Sequence, residues 1–268
     1  MIPTRKSLLT TVILIASAFY FFTALASGTA ELPNAKSILS KIQQKTRNFN
    51  DMSSSVEMRT VEANGKVSVR EIDFKVLQAP NGEWVKSLLV FQKPKREKGV
   101  ALLSHAYKGE KNRQWLYFPS ARRVKSIAGK KSSGAFMGSE FRYTDLLPKP
   151  LEDFTHETLK KADVNGRSHW VIRRIAKDAS SNQGYQHIWV EIESETIQQI
   201  EFFDKEDKLT KTLSAQQFET VDDVQRPKLL VMTNHLNGRS TELLTLSLTI
   251  NDSLLEEDFS ESVLDFSR

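Results

Sequence analysis

The residues best suited to chemistry are five histidines, His105, His156, His169, His187 and His235, and 33 acidic side chains. No two histidines stand at the i, i+4 spacing that sets two imidazoles on one face of a metal-binding helix. A metal centre would have to be assembled across strands. The densest acidic group, Asp204-Lys205-Glu206-Asp207, falls between two strand patterns and reads as a solvated hairpin loop. A pair of acids acting on a glycoside is defined by distance in space, which no spacing reports. There is no Gly-x-Ser-x-Gly elbow, no Ser-x-x-Lys pair and no Gly-x-Gly turn, and Gly129-Lys130-Lys131-Ser132 lacks the earlier glycine of a phosphate loop. The chain has no cysteine, which removes thiol nucleophiles, disulfides, zinc ribbons and an acylated-cysteine anchor. The expectation is a protein that is not an enzyme and holds no metal or cofactor.

Binding chemistry is better supplied. Arg122, Arg123, Lys125, Lys130 and Lys131 lead into a Gly/Ser-rich segment, Ala128–Glu140, which contains Phe136 and Met137 and runs on into Phe141-Arg142-Tyr143. Cations beside flexible aromatic and thioether side chains suit a phospholipid headgroup, an acidic partner surface or a mobile lid. The competing expectation is that Phe136, Phe141 and Tyr143 tuck under a sheet as core. A second basic stretch, Lys93–Lys98, reads as solubilising loop charge. The net charge is only +5 and is spread along the chain, so nucleic acid is not an expected partner.

Before the elements can be placed, residues 1–26 are set aside. Arg5 and Lys6 precede an apolar run that ends in Ala24-Leu25-Ala26, the pattern of a secretory signal cleaved after Ala26. The alternative is an uncleaved anchor, for which a run interrupted by Thr10, Thr11, Ser17 and Thr23 is short and polar against the roughly 20 apolar residues a span needs. With a signal, no cysteine and no later spanning segment, a periplasmic location is expected. Residues 27–268 carry no linker or composition shift and read as a single domain.

Within that domain, Glu31–Asn48 predicts one helix with Ile38, Leu39 and Ile42 on a single stripe. Almost everything after it predicts strand. Asn64-Gly65, Asn81-Gly82, Asn165-Gly166 and Asn237-Gly238 are hairpin signals. The runs they separate make about ten strands in sequential order, with neighbours pairing. Val67 and Val69 are out of phase with Ile72, Phe74 and Val76, and a β-bulge at Arg70-Glu71 would restore one face. Leu244, Leu246, Leu248 and Ile250 alternate with Thr and Ser, predicting one wet and one dry face. Trp84–Phe91 and Val100–Tyr107 are apolar on both faces and so need cover on both sides.

Two blocks carry a family resemblance: Trp115-Leu116-Tyr117-Phe118-Pro119-Ser120-Ala121-Arg122-Arg123-Val124-Lys125 and Gly138-Ser139-Glu140-Phe141-Arg142-Tyr143-Thr144-Asp145-Leu146. Together with a leading helix, a strand meander and a late Phe-Phe-Asp-Lys-Glu-Asp-Lys-Leu hairpin, they resemble the outer-membrane lipoprotein-sorting (LolA-like) family over most of the chain. The resemblance implies a mainly β fold with a few helices. Its form would be an incomplete antiparallel β-barrel of about ten or eleven meander strands, curved over an apolar concavity and covered by helices. It also implies an acyl lipid or lipoprotein cargo and an inner-membrane partner of the resistance-nodulation-division type. From aromatic positions in strands, the cavity lining is expected to include Trp84, Leu88, Trp115, Tyr117, Trp170 and Trp189. Phe136, Met137, Phe141 and Tyr143 are expected at its mouth. A monomer is expected. Two other readings remain: an accessory subunit that docks on a transporter and holds no ligand, its barrel filled by side chains, and an enzyme acting on lipid or glycan.

Overall fold

The computed structural model describes residues 31–178 and 184–264. The expected signal, residues 1–26, lies outside the described residues. The described residues from Leu32 onward form one compact unit. It opens with α1 (Ala35–Thr46), which starts four residues later than the apolar pattern suggests because Asn34 caps it, its Oδ1 accepting from the Ser37 N–H at 3.0 Å. Ala35, Leu39 and Ile42 are the buried stripe.

Thirteen antiparallel strands follow in one open sheet. The first six are β1 (Asp51–Val61), β2 (Val67–Gln78), β3 (Trp84–Lys93), β4 (Ala101–Tyr107), β5 (Arg113–Phe118) and β6 (Arg123–Ser126). The other seven are β7 (Phe154–Val164), β8 (Arg167–Ala176), β9 (Tyr185–Glu191), β10 (Thr196–Phe203), β11 (Leu209–Val221), β12 (Val224–Asn234) and β13 (Ser240–Ile250). Asn165 and Gly166 both take positive φ in the two-residue turn between β7 and β8, the backbone that makes Asn-Gly a hairpin signal.

Two of the thirteen strands, β6 and β7, escape a periodicity search. They are the sheet's edges, and edges are kept polar to prevent pairing with other chains. The order is also not one sequential meander. β1–β6 and β7–β13 are two meanders that join where the first strand pairs with the last, while β6 and β7 lie at opposite ends. The chain between them, residues 127–153, has to cross the molecule. It does so in short 3-10 turns, so among the described residues one α-helix and irregular chain, not several helices, cover the sheet.

Phase along the strands is corrected at two bulges. The pairing of β2 with β3 does shift at Glu71/Ile72, but β2 stays continuous with β1 and the extra residue is Gln92 on β3. Val67 and Val69 therefore remain exposed on the far face. In β13 a bulge opposite Ser55/Val56 breaks the predicted even-numbered face, so that Leu243 faces inward while Leu246 is 50% exposed. One inserted residue exchanges the two faces of everything before it.

Candidate functional site

The inner face of the sheet is filled unequally. Under β1–β5 the crossing segment acts as a plug: Phe136 (2% exposed) and Tyr143 sit on Ile72, Leu89, Phe91, Leu102 and Leu116. The Phe136 ring lies 5.9 Å from Phe91 and 5.5 Å from Tyr143, edge-on to the latter. Burial pushes the Tyr143 hydroxyl up from its ordinary pKa. Under β8–β10, α1 closes the face through Leu39, Ile42, Ile172, Ile188 and Val190.

Between plug and helix a cavity of about 400 Å³ remains. Phe74, Val76, Phe202, Leu213, Met232 and Leu243 from five strands form its apolar walls, and Leu146–Lys149 of the crossing segment roofs it. A second pocket of about 360 Å³ shares Arg47, Lys149, Arg174, Ile200, Leu213 and Leu230 with the first and runs under α1. A depression of about 530 Å³ on the β1–β2 hairpin is larger, but Glu62, Asn64, Lys66, Ser68 and Arg70 make its walls polar.

A buried polar knot ties the plug down. Glu140 is 4% exposed, and its carboxylate accepts from Asn234 Nδ2 at 2.7 Å and pairs with Lys211 (3.4 Å) and Arg239 (3.3 Å). Lys211 also donates to the Glu140 carbonyl at 2.6 Å, and Arg239 to the Gly138 carbonyl at 2.8 Å. Burial alone would raise the Glu140 carboxyl pKa, but the Asn234 hydrogen bond and the two cations outweigh it and hold the group below its ordinary value.

The expected lining residues are divided between the two faces. Trp84, Leu88, Trp115 and Tyr117 point to the outer face, where they pack with Leu77, Leu103, Phe259 and Leu264 beneath the C-terminal residues 254–264. They are not in the cavity, because alternation along β3 puts Val85, Ser87 and Leu89 inward and Trp84 and Leu88 outward. The same C-terminal chain explains why β3 and β4 are apolar on both faces. It is held by His105 Nε2 on the Phe259 carbonyl at 2.6 Å and by the Lys86–Glu256 ion pair. Trp189 also faces outward, donating from Nε1 to Glu201 at 3.0 Å. Trp170 faces inward but lies against the α1 cluster. Of the plug residues, Phe141 lines the cavity, Met137 packs on the core, and Phe136 and Tyr143 are core rather than mouth.

The basic patch is spread along the β6 edge. Arg122, Arg123, Lys125 and Lys131 are exposed, with the Lys125 ammonium 5.2 Å from the Phe118 ring centre; the side chain of Lys130 lies outside the described residues. None of these residues lines the cavity. Among the described residues no group of three His, Asp or Glu side chains could hold a metal ion, and no helix is long and apolar enough to cross a membrane.

The cavity instead presents Arg47, Lys149, Arg174 and Arg226, none of them singled out by motif. The sequence did hold a signal: Arg174 is in phase with Trp170 and Ile172, and Arg226 with Leu230 and Met232, so each is a charge on an inward position. Lys149, Arg174 and Arg226 are half-buried and Arg47 is exposed at the end of α1, and desolvation lowers the pKa of all four. Arg174 falls to about 10, and Arg47 beside Arg226 lowers the latter further.

Against known proteins, a family model described as "Uncharacterized protein"-like matches residues 83–265. No curated protein matches. Among solved structures, an outer membrane lipoprotein-sorting protein domain from Vibrio parahaemolyticus superposes with a TM-score of 0.81 and 32% identity, over 86% of this chain and 98% of that one. A DUF1329 family protein from Desulfovibrio piger gives 0.80 and 21% over 85% and 97%. A LolA superfamily protein from Nitrosomonas europaea gives 0.69 and 19% over 87% and 100%. These last two share the fold. A relative one-third identical over nearly its whole length places the chain in the outer-membrane lipoprotein-sorting family.

Proposed function

We propose that the protein is a non-enzymatic periplasmic carrier or receiver of acyl chains, taking up a lipid or lipoprotein and passing it on at an envelope transporter. The observation that carries this is the apolar cavity of about 400 Å³ continuing into a second of about 360 Å³. An alkyl chain leaving water for such walls gains about 0.8 kcal/mol per methylene. Membership of a lipoprotein-sorting family supports the cargo class. The signal-like residues 1–26 support the periplasm, and the family resemblance alone supports a resistance-nodulation-division partner. A ligand-free docking subunit would need inward side chains to fill the concavity, and here they fill it only beneath the plug and where α1 packs on β8 and β9.

Native mass spectrometry of protein purified without detergent tests the proposal. A bound mass that extracts as an acyl lipid is expected. A chain that stays empty after incubation with vesicles of envelope phospholipid would overturn it in favour of the docking subunit.

A further inference from the structure

Arg47, Lys149, Arg174 and Arg226 reach the cavity from four separate places: the end of α1, the crossing segment, β8 and β12. Among the described residues, no ion pair includes any of them. The hydrogen bonds of Lys149, Arg174 and Arg226 go to neutral oxygens, and the guanidinium groups of Arg174 and Arg226 lie over the Phe154 and Phe49 rings at 4.9 and 5.0 Å. Lys149 Nζ donates to the Thr144 carbonyl at 2.6 Å, Arg174 Nε to Gln186 Oε1 at 2.8 Å, and Arg226 Nη2 to the Thr46 carbonyl at 3.2 Å. The Nε of Arg226 is buried and has no hydrogen-bond partner. Three acids act on the four from nearby and leave one unmatched: Asp145, with one oxygen taken by the Arg142 N–H at 2.8 Å, acts on Lys149 and Arg174, Asp153 on Lys149 and Glu152 on Arg47, while Arg226 faces only the like charge of Arg47.

Concentrating positive charge between apolar walls is costly unless an anion arrives to meet it. An oxyanion would be bound by charge-assisted hydrogen bonds, strengthened by the low dielectric of the walls. Those same walls, Phe74, Phe202, Leu213 and Met232, have nothing to offer a small hydrated anion. The two requirements meet in one kind of molecule. Building on the carrier reading, we infer that the cavity selects an acyl amphiphile with an anionic headgroup, its phosphate or carboxylate held by Arg47, Lys149, Arg174 and Arg226 and its chain on the apolar walls.

The test uses the full chain expressed and purified without detergent. Binding of the neutral dye N-phenyl-1-naphthylamine first establishes that the cavity takes apolar ligands. Calorimetry then compares an alkyl phosphate, the alcohol of the same chain length and inorganic phosphate. The alkyl phosphate is expected to bind at least about tenfold more tightly than the alcohol, about 1.4 kcal/mol. That preference should largely vanish in an Arg226→Gln, Lys149→Gln double variant and persist in Arg226→Lys, which keeps charge and fold. Dye binding with equal affinity for phosphate and alcohol would overturn the headgroup inference while leaving the carrier reading standing. Inorganic phosphate binding as tightly as the alkyl phosphate would make this a free oxyanion site and overturn it as well. Failure of the wild-type protein to bind the dye or any alkyl ligand would overturn both readings.

Discussion

Glu140 shows how a single side chain can hold a mobile-looking segment in place. Its carboxylate is the common partner of Asn234, Lys211 and Arg239, one from each of β12, β11 and the turn before β13. Glu140→Ala leaves those donors around an empty site and is expected to cost about 3 kcal/mol in urea denaturation. Because the folded pKa lies below the unfolded one, this stabilisation is complete above the ordinary carboxylate range and is lost as pH falls through the folded value. Denaturation midpoints of the wild type should therefore fall on acidification through that range, and those of Glu140→Ala should fall less. Phe136 is a second anchor of the same plug. Phe136→Ala is expected to cost about 3–5 kcal/mol by opening a core cavity, measurable as a drop in denaturation midpoint. A Phe at the pocket mouth would cost little, so this experiment separates core from mouth directly. The Gly/Ser composition of this segment suggested mobility because the partners that pin it at Glu140, from β11 to β13, lie 71 to 101 residues further along.

At the scale of elements, the two faces of β3–β5 have different duties. The inner one carries plug and cavity; the outer one is sealed by residues 254–264 through Phe259 and Leu264. Substitutions on the two faces should then have opposite effects. Ser87→Trp directs an indole into the cavity from β3 and is expected to abolish dye and alkyl-ligand uptake with little loss of stability. Trp115→Ala, on the outer face, should cost about 3 kcal/mol and leave uptake unchanged. Uptake assays paired with thermal melts would show the split, and loss of uptake in Trp115→Ala would contradict the assignment of faces. Eleven of the strands, the leading helix and all four Asn-Gly turns were legible as local patterns. The edges β6 and β7 were not, since an edge strand is selected to lack the apolar alternation that would reveal it. The faces were not either: an alternating strand announces that it has two sides, and each bulge, at Gln92 and near Leu246, changes which residues lie on which.

For the whole molecule, function depends on a sheet that is only partly closed and only partly filled. Joining two meanders through β1 and β13 forces residues 127–153 across the concavity, and that crossing both packs one half and roofs the cavity in the other. The fold class, the leading helix, the hairpin positions and, through the Trp115–Lys125 and Gly138–Leu146 blocks, the family are all written in the order of residues. These depend on local periodicity, turn chemistry and short motifs, all carried by neighbouring residues. That Trp84, Leu88, Trp115 and Tyr117 back the sheet and that Phe136 and Tyr143 are core emerges from the assembled fold. It alone brought Arg47, Lys149, Arg174 and Arg226 to a single cavity. The physical reason is range: a pocket is built from residues that meet only after distant strands have paired, and its charge and shape are sums over partners that no window of sequence contains.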